Sequence, residues 1–124
     1  MMDVFEFKRG QFEKALGQLK KALDAPKSEY TRDAVIQRFE FTYELAWKAL
    51  KAYLKTQDIQ VLSPKETLKV AYQQGLIADA SAWSELHLKR NLTSHTYDEA
   101  IYDYLKASGF MLFSALQTKL NDCS

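Results

Sequence analysis

The stretch TRDAVIQRFEFTYELAWKALKAYLKT (residues 31–56) decides the fold, because its apolar residues recur with the period of an α-helix. Phe39, Tyr43 and Leu50 lie on one face, and Trp47 widens that face into a broad apolar arc. Such an arc is typical of a helix that packs against several neighbours. At a rise of 1.5 Å per residue the helix would be about 40 Å long, which is the height of a helical bundle.

Two further helices are indicated by their end signals. Asp3 is placed to cap a first helix, which Pro26 ends because proline has no amide proton to donate to the preceding turn. Beyond the long helix, SPKE (residues 63–66) combines a capping Ser, a Pro at the first helical position and a Glu at the third. This helix is short, and Gly75 closes it.

The rest of the chain completes an antiparallel bundle. Asp79 is placed to cap a fourth helix that carries Trp83 and Leu86, and residues 96–99 match a Ser/Thr-x-x-Glu capping box that opens the last helix. No stretch alternates apolar and polar residues as a strand would. The sequence therefore predicts one all-α domain over residues 2–121, an up-and-down four-helix bundle with an extra short helix.

The composition argues against several classes of protein and of functional site. Lys and Arg number 17 against 16 Asp and Glu, which argues against a general nucleic-acid coat protein but leaves room for a local basic site. The single cysteine, Cys123, excludes an internal disulfide, and no Cys/His cluster predicts a metal. No apolar run is long enough to span a membrane and no signal peptide is evident, so we expect a cytoplasmic protein. A Gly-rich phosphate loop, a Ser-His-Asp order and a Mg²⁺-binding Asp-x-Asp pair are also missing.

The segment RNLTSHTY (residues 90–97) carries the candidate chemistry between the last two helices. An imidazole such as His95 can take or give a proton at neutral pH. The Arg90 guanidinium can brace the charge that builds on a phosphoryl oxygen, so the two together would suffice for metal-free RNA cleavage. Tyr97 adds a phenol that can bind a phosphate or accept a modification. The alternative is that all three merely close helix ends and pack at a corner.

A second polar group lies within the long helix. It borders large apolar side chains and is either a solvated charged stripe or a groove or oligomer seam. Its members are Arg38, Glu40, Tyr43, Glu44 and Trp47. Lys48 and Lys51 follow the two glutamates at ion-pair spacing, which favours the stripe. His87, on one helical face with Arg90, is interpreted as a packing or surface residue.

Three segments, RFEFTYELAWKALKAYL (residues 38–54), SPKETLKVAYQQGLI (63–77) and RNLTSHTYDEA (90–100), resemble the family of nucleotidyltransferase substrate-binding proteins, which are HepT-like members of the HEPN superfamily. The resemblance covers residues 3–120. The family motif of Arg, four residues, His, one residue and Tyr falls on Arg90, His95 and Tyr97. HEPN ribonucleases typically have a polar residue after the Arg, and here it is Asn91.

The resemblance implies a homodimeric partner of a separately encoded minimal nucleotidyltransferase in a two-gene, toxin–antitoxin-like system. ATP and Mg²⁺ would belong to that partner, and this chain would need no cofactor. The resemblance also implies that Arg90 and His95 are catalytic, and that the partner transfers AMP to Tyr97, where the bulky anion would repel RNA. One alternative is an active metal-independent ribonuclease toxin, with a target such as a tRNA end. The other is a non-catalytic structural or interaction module.

Overall fold

The computed structural model describes residues 3–92 and 97–123, and within those ranges the chain is helical and contains no strand. The predicted all-α bundle is confirmed. The helices are α1 (Val4–Asp24), α2 (Glu29–Thr56), α3 (Pro64–Gln73), α4 (Ala80–Asn91), α5 (Asp98–Tyr104) and α6 (Phe110–Asp122), with a π-helical turn (Leu105–Gly109) between the last two. α1 and α2 pack along each other, α3 and α5 pack on α2, and α6 packs on α1. None of the helices in these two ranges is both long and apolar enough to cross a bilayer.

Three helix starts lie where the capping signals place them. The Asp3 carboxylate accepts a hydrogen bond from the backbone N–H of Glu6 at 2.8 Å. The Ser63 hydroxyl accepts one from the backbone N–H of Glu66 at 3.1 Å. The Asp79 carboxylate accepts one from the backbone N–H of Ala82 at 3.0 Å. Each side chain satisfies an N–H group that the first helical turn leaves without a partner, so these local signals fix the starts of α1, α3 and α4.

α2 begins earlier than predicted, at Glu29 instead of Thr31. The Ser28 hydroxyl accepts a bond from the backbone N–H of Thr31 at 3.1 Å, and the Thr31 hydroxyl accepts one from the backbone N–H of Ser28 at 2.7 Å. This reciprocal pair is a capping box in which Thr31 takes the third helical position. The sequence pattern placed the start of α2 at Thr31, the second partner of the box, so the predicted helix was two residues too short.

The capping box predicted at residues 96–99 stays a prediction, because the structure describes only part of it. Thr96 lies outside the described residues, and α5 begins at Asp98 with Tyr97 in the cap position and no capping bond from its side chain. Glu99 forms ion pairs with Lys27 and, at 3.6 Å, with Arg32. These bonds anchor the start of α5 to the connection between α1 and α2.

The last helix is also less regular than predicted, because Leu105–Gly109 forms a π-helical turn. An added Cβ at Gly109 would lie 2.6 Å from Cε2 of the Tyr104 ring and 3.1 Å from Cδ2 of Leu105. Leu105 is fully buried and cannot give way. The missing side chain at Gly109 is therefore what allows the Tyr104 ring to pack across the wide turn.

Two glycine substitutions should have opposite effects on stability. We expect Gly109→Ala to lower the free energy of unfolding by about 1–3 kcal/mol, because the methyl group overpacks a buried site. Gly17→Ala, within α1, should raise it by about 0.5–1 kcal/mol, since an added Cβ there meets nothing within 4 Å. Urea unfolding of both variants checks this. A Gly109→Ala protein as stable as the wild type would contradict the packing account of the π turn.

A cluster of aromatic rings around Phe113 connects four helices. Phe113 is fully buried. Its ring lies 6.2 Å from Phe12 of α1, 6.1 Å from Phe39 of α2 and 5.9 Å from Trp83 of α4, measured between ring centroids. The contacts with Phe12 and Trp83 are edge-to-face, an arrangement that aromatic rings favour. The cluster holds α4 in place on the bundle, so side chains from the last turns of α4 face the middle of α2.

Candidate functional site

An arginine and two glutamates meet where α4 crosses α2. Arg90, in the last turn of α4, extends its guanidinium to Glu40 and Glu44, which lie one turn apart on α2. Nη1 lies 3.6 Å from Oε2 of Glu40, and Nη2 lies 3.8 Å from Oε1 of Glu44. The Arg90 side chain is 27% exposed and the two glutamates are 39% and 40% exposed. The fork of the guanidinium therefore bridges two carboxylates and still reaches solvent, where an incoming anion can meet it.

A buried tyrosine and a histidine lie beside this arginine. The Tyr43 side chain is 1% exposed, and its hydroxyl lies 2.5 Å from Nδ1 of His87. Nε2 of His87 lies 3.3 Å from the side-chain amide of Asn91. Burial raises the pKa of the Tyr43 phenol well above its usual range, with a further rise from Glu44 and an opposing effect from Arg90. The phenol therefore keeps its proton at neutral pH and can donate it to the imidazole.

The structure brings together most of the residues that the sequence singled out on α2. Glu40 and Glu44 bind Arg90, Tyr43 binds His87, and the Trp47 indole N–H donates to Oε2 of Glu44 at 3.2 Å. Arg38 is not part of the group. Its Nη1 donates to the backbone carbonyl of Gln18 in α1 at 3.2 Å, so it lies against a different helix.

The predicted catalytic pair is described only in part. His95 lies outside the described residues, so its role stays a prediction. Arg90 and Asn91 end α4, and Tyr97 precedes α5 with 46% of its surface exposed. The two described ends of the RNLTSHTY segment therefore present a guanidinium and an accessible phenol.

Sequence reasoning missed the contact between Tyr43 and His87. His87 lies three residues before Arg90 and four before Asn91, which places all three on one side of α4. That spacing was visible, but the partner on α2 is 44 positions away and no local pattern reveals it.

His87 also opens onto a cleft between α3 and α4. The cleft has a volume of about 980 Å³, and its lining includes His87, Asn91, Tyr72 and Lys69. No group of three or more His, Cys, Asp or Glu side chains in residues 3–92 and 97–123 is arranged to hold a metal ion. The side chains that meet around this cleft and the Arg90 site offer a guanidinium, an imidazole, a phenol and carboxylates.

The raised pKa of Tyr43 should make the protein lose stability at high pH. Tyrosine in the unfolded chain ionises near pH 10, while the folded chain holds Tyr43 protonated, so unfolding releases a proton above that pH. The contribution of Tyr43 to the free energy of unfolding should then fall as pH rises above about 10, by up to about 1.4 kcal/mol per pH unit. Tyr43→Phe should fall less steeply in urea titrations. Tyr30→Phe, at a side chain that is 85% exposed, should keep the wild-type slope, and equal slopes in all three proteins would contradict this account.

Comparison with known proteins finds similarity to one family over nearly the whole chain. Residues 8–122 match the family described as nucleotidyltransferase substrate binding protein like. A protein described as probable ribonuclease HepT, from Haemophilus influenzae, is 42% identical over 90 residues. That alignment covers 62% of this chain and 62% of the relative, so less than two thirds of the relative's length is matched.

Three solved structures share the fold. A protein from Thermus thermophilus is 34% identical with a TM-score of 0.74, over 90% of this chain and 97% of that one. A Haemophilus influenzae protein, described as having the fold of a substrate binding domain of a nucleotidyltransferase, is 30% identical with a TM-score of 0.64, over 95% and 97%. A chain from a toxin–antitoxin crystal structure with AMP-PNP has a TM-score of 0.78 over 98% of both chains, at 13% identity, and shows the fold alone.

Proposed function

Because this chain belongs to the nucleotidyltransferase substrate-binding protein family, we propose that it is the helical partner subunit of a separately encoded minimal nucleotidyltransferase. It acts in the cytoplasm as a homodimer, as one half of a two-gene, toxin–antitoxin-like system. It holds no cofactor of its own, and the partner supplies ATP and Mg²⁺. Its site is Arg90, His95 and Tyr97, with Asn91 beside them, and Tyr97 is the residue that receives AMP.

The observation that carries this proposal is the placement of the two ends of the RNLTSHTY segment. Arg90 is held at the solvent-facing edge between α4 and α2 by Glu40 and Glu44. Tyr97 is 46% exposed and stands at the start of α5, away from the packed core. A phenol in that position is accessible to the active site of a second protein, and Arg90, at the other end of the segment, supplies positive charge that attracts a nucleotide phosphate.

The transfer step needs only groups that the two proteins bring together. The Tyr97 phenol oxygen attacks the α-phosphorus of ATP and forms a new P–O bond. The bond from that phosphorus to the bridging oxygen breaks and pyrophosphate leaves, and Mg²⁺ held by the partner would offset its charge. The phenol proton passes to a base, for which a carboxylate of the partner is suited. The product is a phosphodiester that places a negative charge beside the Arg90 and His95 site.

Intact-mass spectrometry tests the proposal directly. The chain is incubated with the nucleotidyltransferase encoded beside it, ATP and Mg²⁺, and the two proteins are also tested for co-purification. We expect a stable complex and a mass gain of one AMP, absent when ATP is omitted. Neither a complex nor a mass gain would overturn the proposal. A complex without a mass gain would keep the partner role and remove the AMP-acceptor role from this chain.

A second candidate function, a metal-independent ribonuclease that AMP transfer silences, is favoured by the similarity to probable ribonuclease HepT. In this reaction His95 takes the proton of the ribose 2′-hydroxyl and the 2′-oxygen attacks the adjacent phosphorus. Arg90 stabilises the crowded phosphorane, and the 5′-oxygen leaves with the proton that His95 returns, which gives a 2′,3′-cyclic phosphate. Cleavage of RNA in the presence of EDTA would support this candidate, and no cleavage by the unmodified protein would remove it.

A further inference from the structure

The outward face of α2 changes the sign of its charge along its length. Glu40, Glu44, Lys48, Lys51 and Lys55 follow each other at intervals of three or four residues, which places them on one side of the helix. The two glutamates bind Arg90, which offsets one of their two negative charges. The second half carries three lysines in succession, although the whole chain has a net charge of only +1.

A groove lies along the basic half of this stripe. It has a volume of about 430 Å³, and four lysines line it: Lys8 from α1 and Lys48, Lys51 and Lys55 from α2. Trp47 and Ile59 provide an apolar wall, and the Lys51 ammonium group lies 5.9 Å from the centre of the Trp47 ring. In the described part of the chain, no acidic side chain lines the groove. We refer to this surface as the lysine groove.

The lysine groove is continuous with the candidate site through Glu44. One carboxylate oxygen of Glu44 lies 3.8 Å from Arg90, and the other accepts the Trp47 indole N–H and lies 3.9 Å from the Lys48 ammonium. From Glu44 to Lys55 the helix rises about 16 Å, a length that spans a few nucleotides of an extended strand. A polyanion held at Arg90 would pass Glu44, whose charge is offset by Arg90 and Lys48, and would then reach the lysines along α2.

We propose that the lysine groove binds the phosphate backbone of single-stranded RNA that extends from the Arg90 site. Flexible lysines beside an aromatic wall are the usual means of holding a single strand without reading its sequence. The positive charge is local to the groove, so this mode of binding is compatible with a net charge of only +1. The inference rests on the ribonuclease form of the proposed function and names the surface that holds its substrate.

The experiment measures RNA affinity on the full chain with cleavage disabled by His95→Ala. A labelled oligouridylate of about twelve nucleotides is titrated by fluorescence anisotropy at several salt concentrations. The test variant adds Lys8→Gln, Lys51→Gln and Lys55→Gln. Lys48 is left in place because it pairs with Glu44. The matched control adds Lys14→Gln, Lys21→Gln and Lys119→Gln, three exposed lysines that lie outside the groove.

We expect the groove variant to raise the dissociation constant at least about tenfold at low salt and to reduce the slope of log K against log salt by about 2, since three phosphate contacts are lost. The control should stay within about twofold of the background protein. Equal slopes for the two triple variants, or no RNA binding by the background protein, would overturn the inference.

Measuring AMP transfer to the same variants shows whether a failure belongs to this inference or to the proposed function. If the groove variant loses RNA affinity and still receives AMP from the nucleotidyltransferase, the inference is supported and the partner's binding surface lies elsewhere. If it keeps RNA affinity and loses the nucleotidyltransferase complex, the lysine groove is the partner's docking surface and the inference is overturned. If AMP transfer proceeds but no variant binds RNA, the proposed function stands and the inference falls.

Discussion

A Tyr97→Phe variant is expected to receive no AMP from its nucleotidyltransferase under conditions in which the wild type receives one. The substitution keeps the aromatic ring and removes only the oxygen that would attack the α-phosphorus. Because Tyr97 is already 46% exposed, the loss of its hydroxyl should leave the fold and the partner complex intact. Intact-mass spectrometry over a time course should show full modification of the wild type and none of the variant.

Tyr72→Phe is the matched control for this experiment. Tyr72 is 49% exposed, almost the same fraction as Tyr97, and it lies on α3. If accessibility alone selected the acceptor, both substitutions would reduce modification to a similar extent. We expect Tyr72→Phe to be modified like the wild type. A Tyr97→Phe protein that gains AMP at the wild-type rate would contradict the assignment, and peptide mapping would then locate the true acceptor.

The sequence predicted the features of the fold that depend on neighbours in the chain. The caps at Asp3, Ser63 and Asp79 each join a side chain to a backbone group three residues away, so the residue types and their spacing contain all the necessary information. Gly75 closes α3 for a similar reason. Its φ of 76° lies in the left-handed region, which favours glycine.

The features that the sequence did not predict depend on contacts between distant elements. The π turn at Leu105–Gly109 forms where the Tyr104 ring packs beside a glycine, and nothing in the local periodicity signals it. The start of α5 is likewise tied by Glu99 to Lys27, which is 72 positions away.

In the candidate site too, the sequence predicts what depends on spacing within a helix and misses the contacts between helices. Spacing places Glu40 and Glu44 on one face of α2, and it places His87 and Arg90 on one side of α4. It does not reveal that the two helices cross so that Arg90 lies between the glutamates and His87 meets Tyr43. The sequence leaves two interpretations of α2 open, a charged stripe and a polar groove. The structure places the two glutamates against Arg90, while the lysines line a groove that adjoins this site at Glu44.

If the chain is the metal-independent ribonuclease proposed above, Arg90→Ala is expected to reduce RNA cleavage by about 10²–10³-fold, because it would remove the charge that stabilises the phosphorane. His95→Ala should cause a similar loss, and either variant should relieve any growth arrest that the wild type causes when expressed alone. Arg90→Lys should recover only part of the activity, since a lysine retains the charge but not the two-pronged contact with phosphate. Cleavage of a labelled RNA in EDTA provides the rates.

Arg32→Ala controls for the loss of a partly buried, ion-paired arginine. The Arg32 side chain is 29% exposed against 27% for Arg90, and it contacts Asp33 and Glu99 as Arg90 contacts Glu40 and Glu44. Both substitutions should therefore change the melting temperature by similar amounts, while only Arg90→Ala should lose cleavage. If both variants lost cleavage in proportion to their stability, Arg90 would be a structural residue. If neither lost cleavage, the active groups of the ribonuclease would have to lie elsewhere on the bundle.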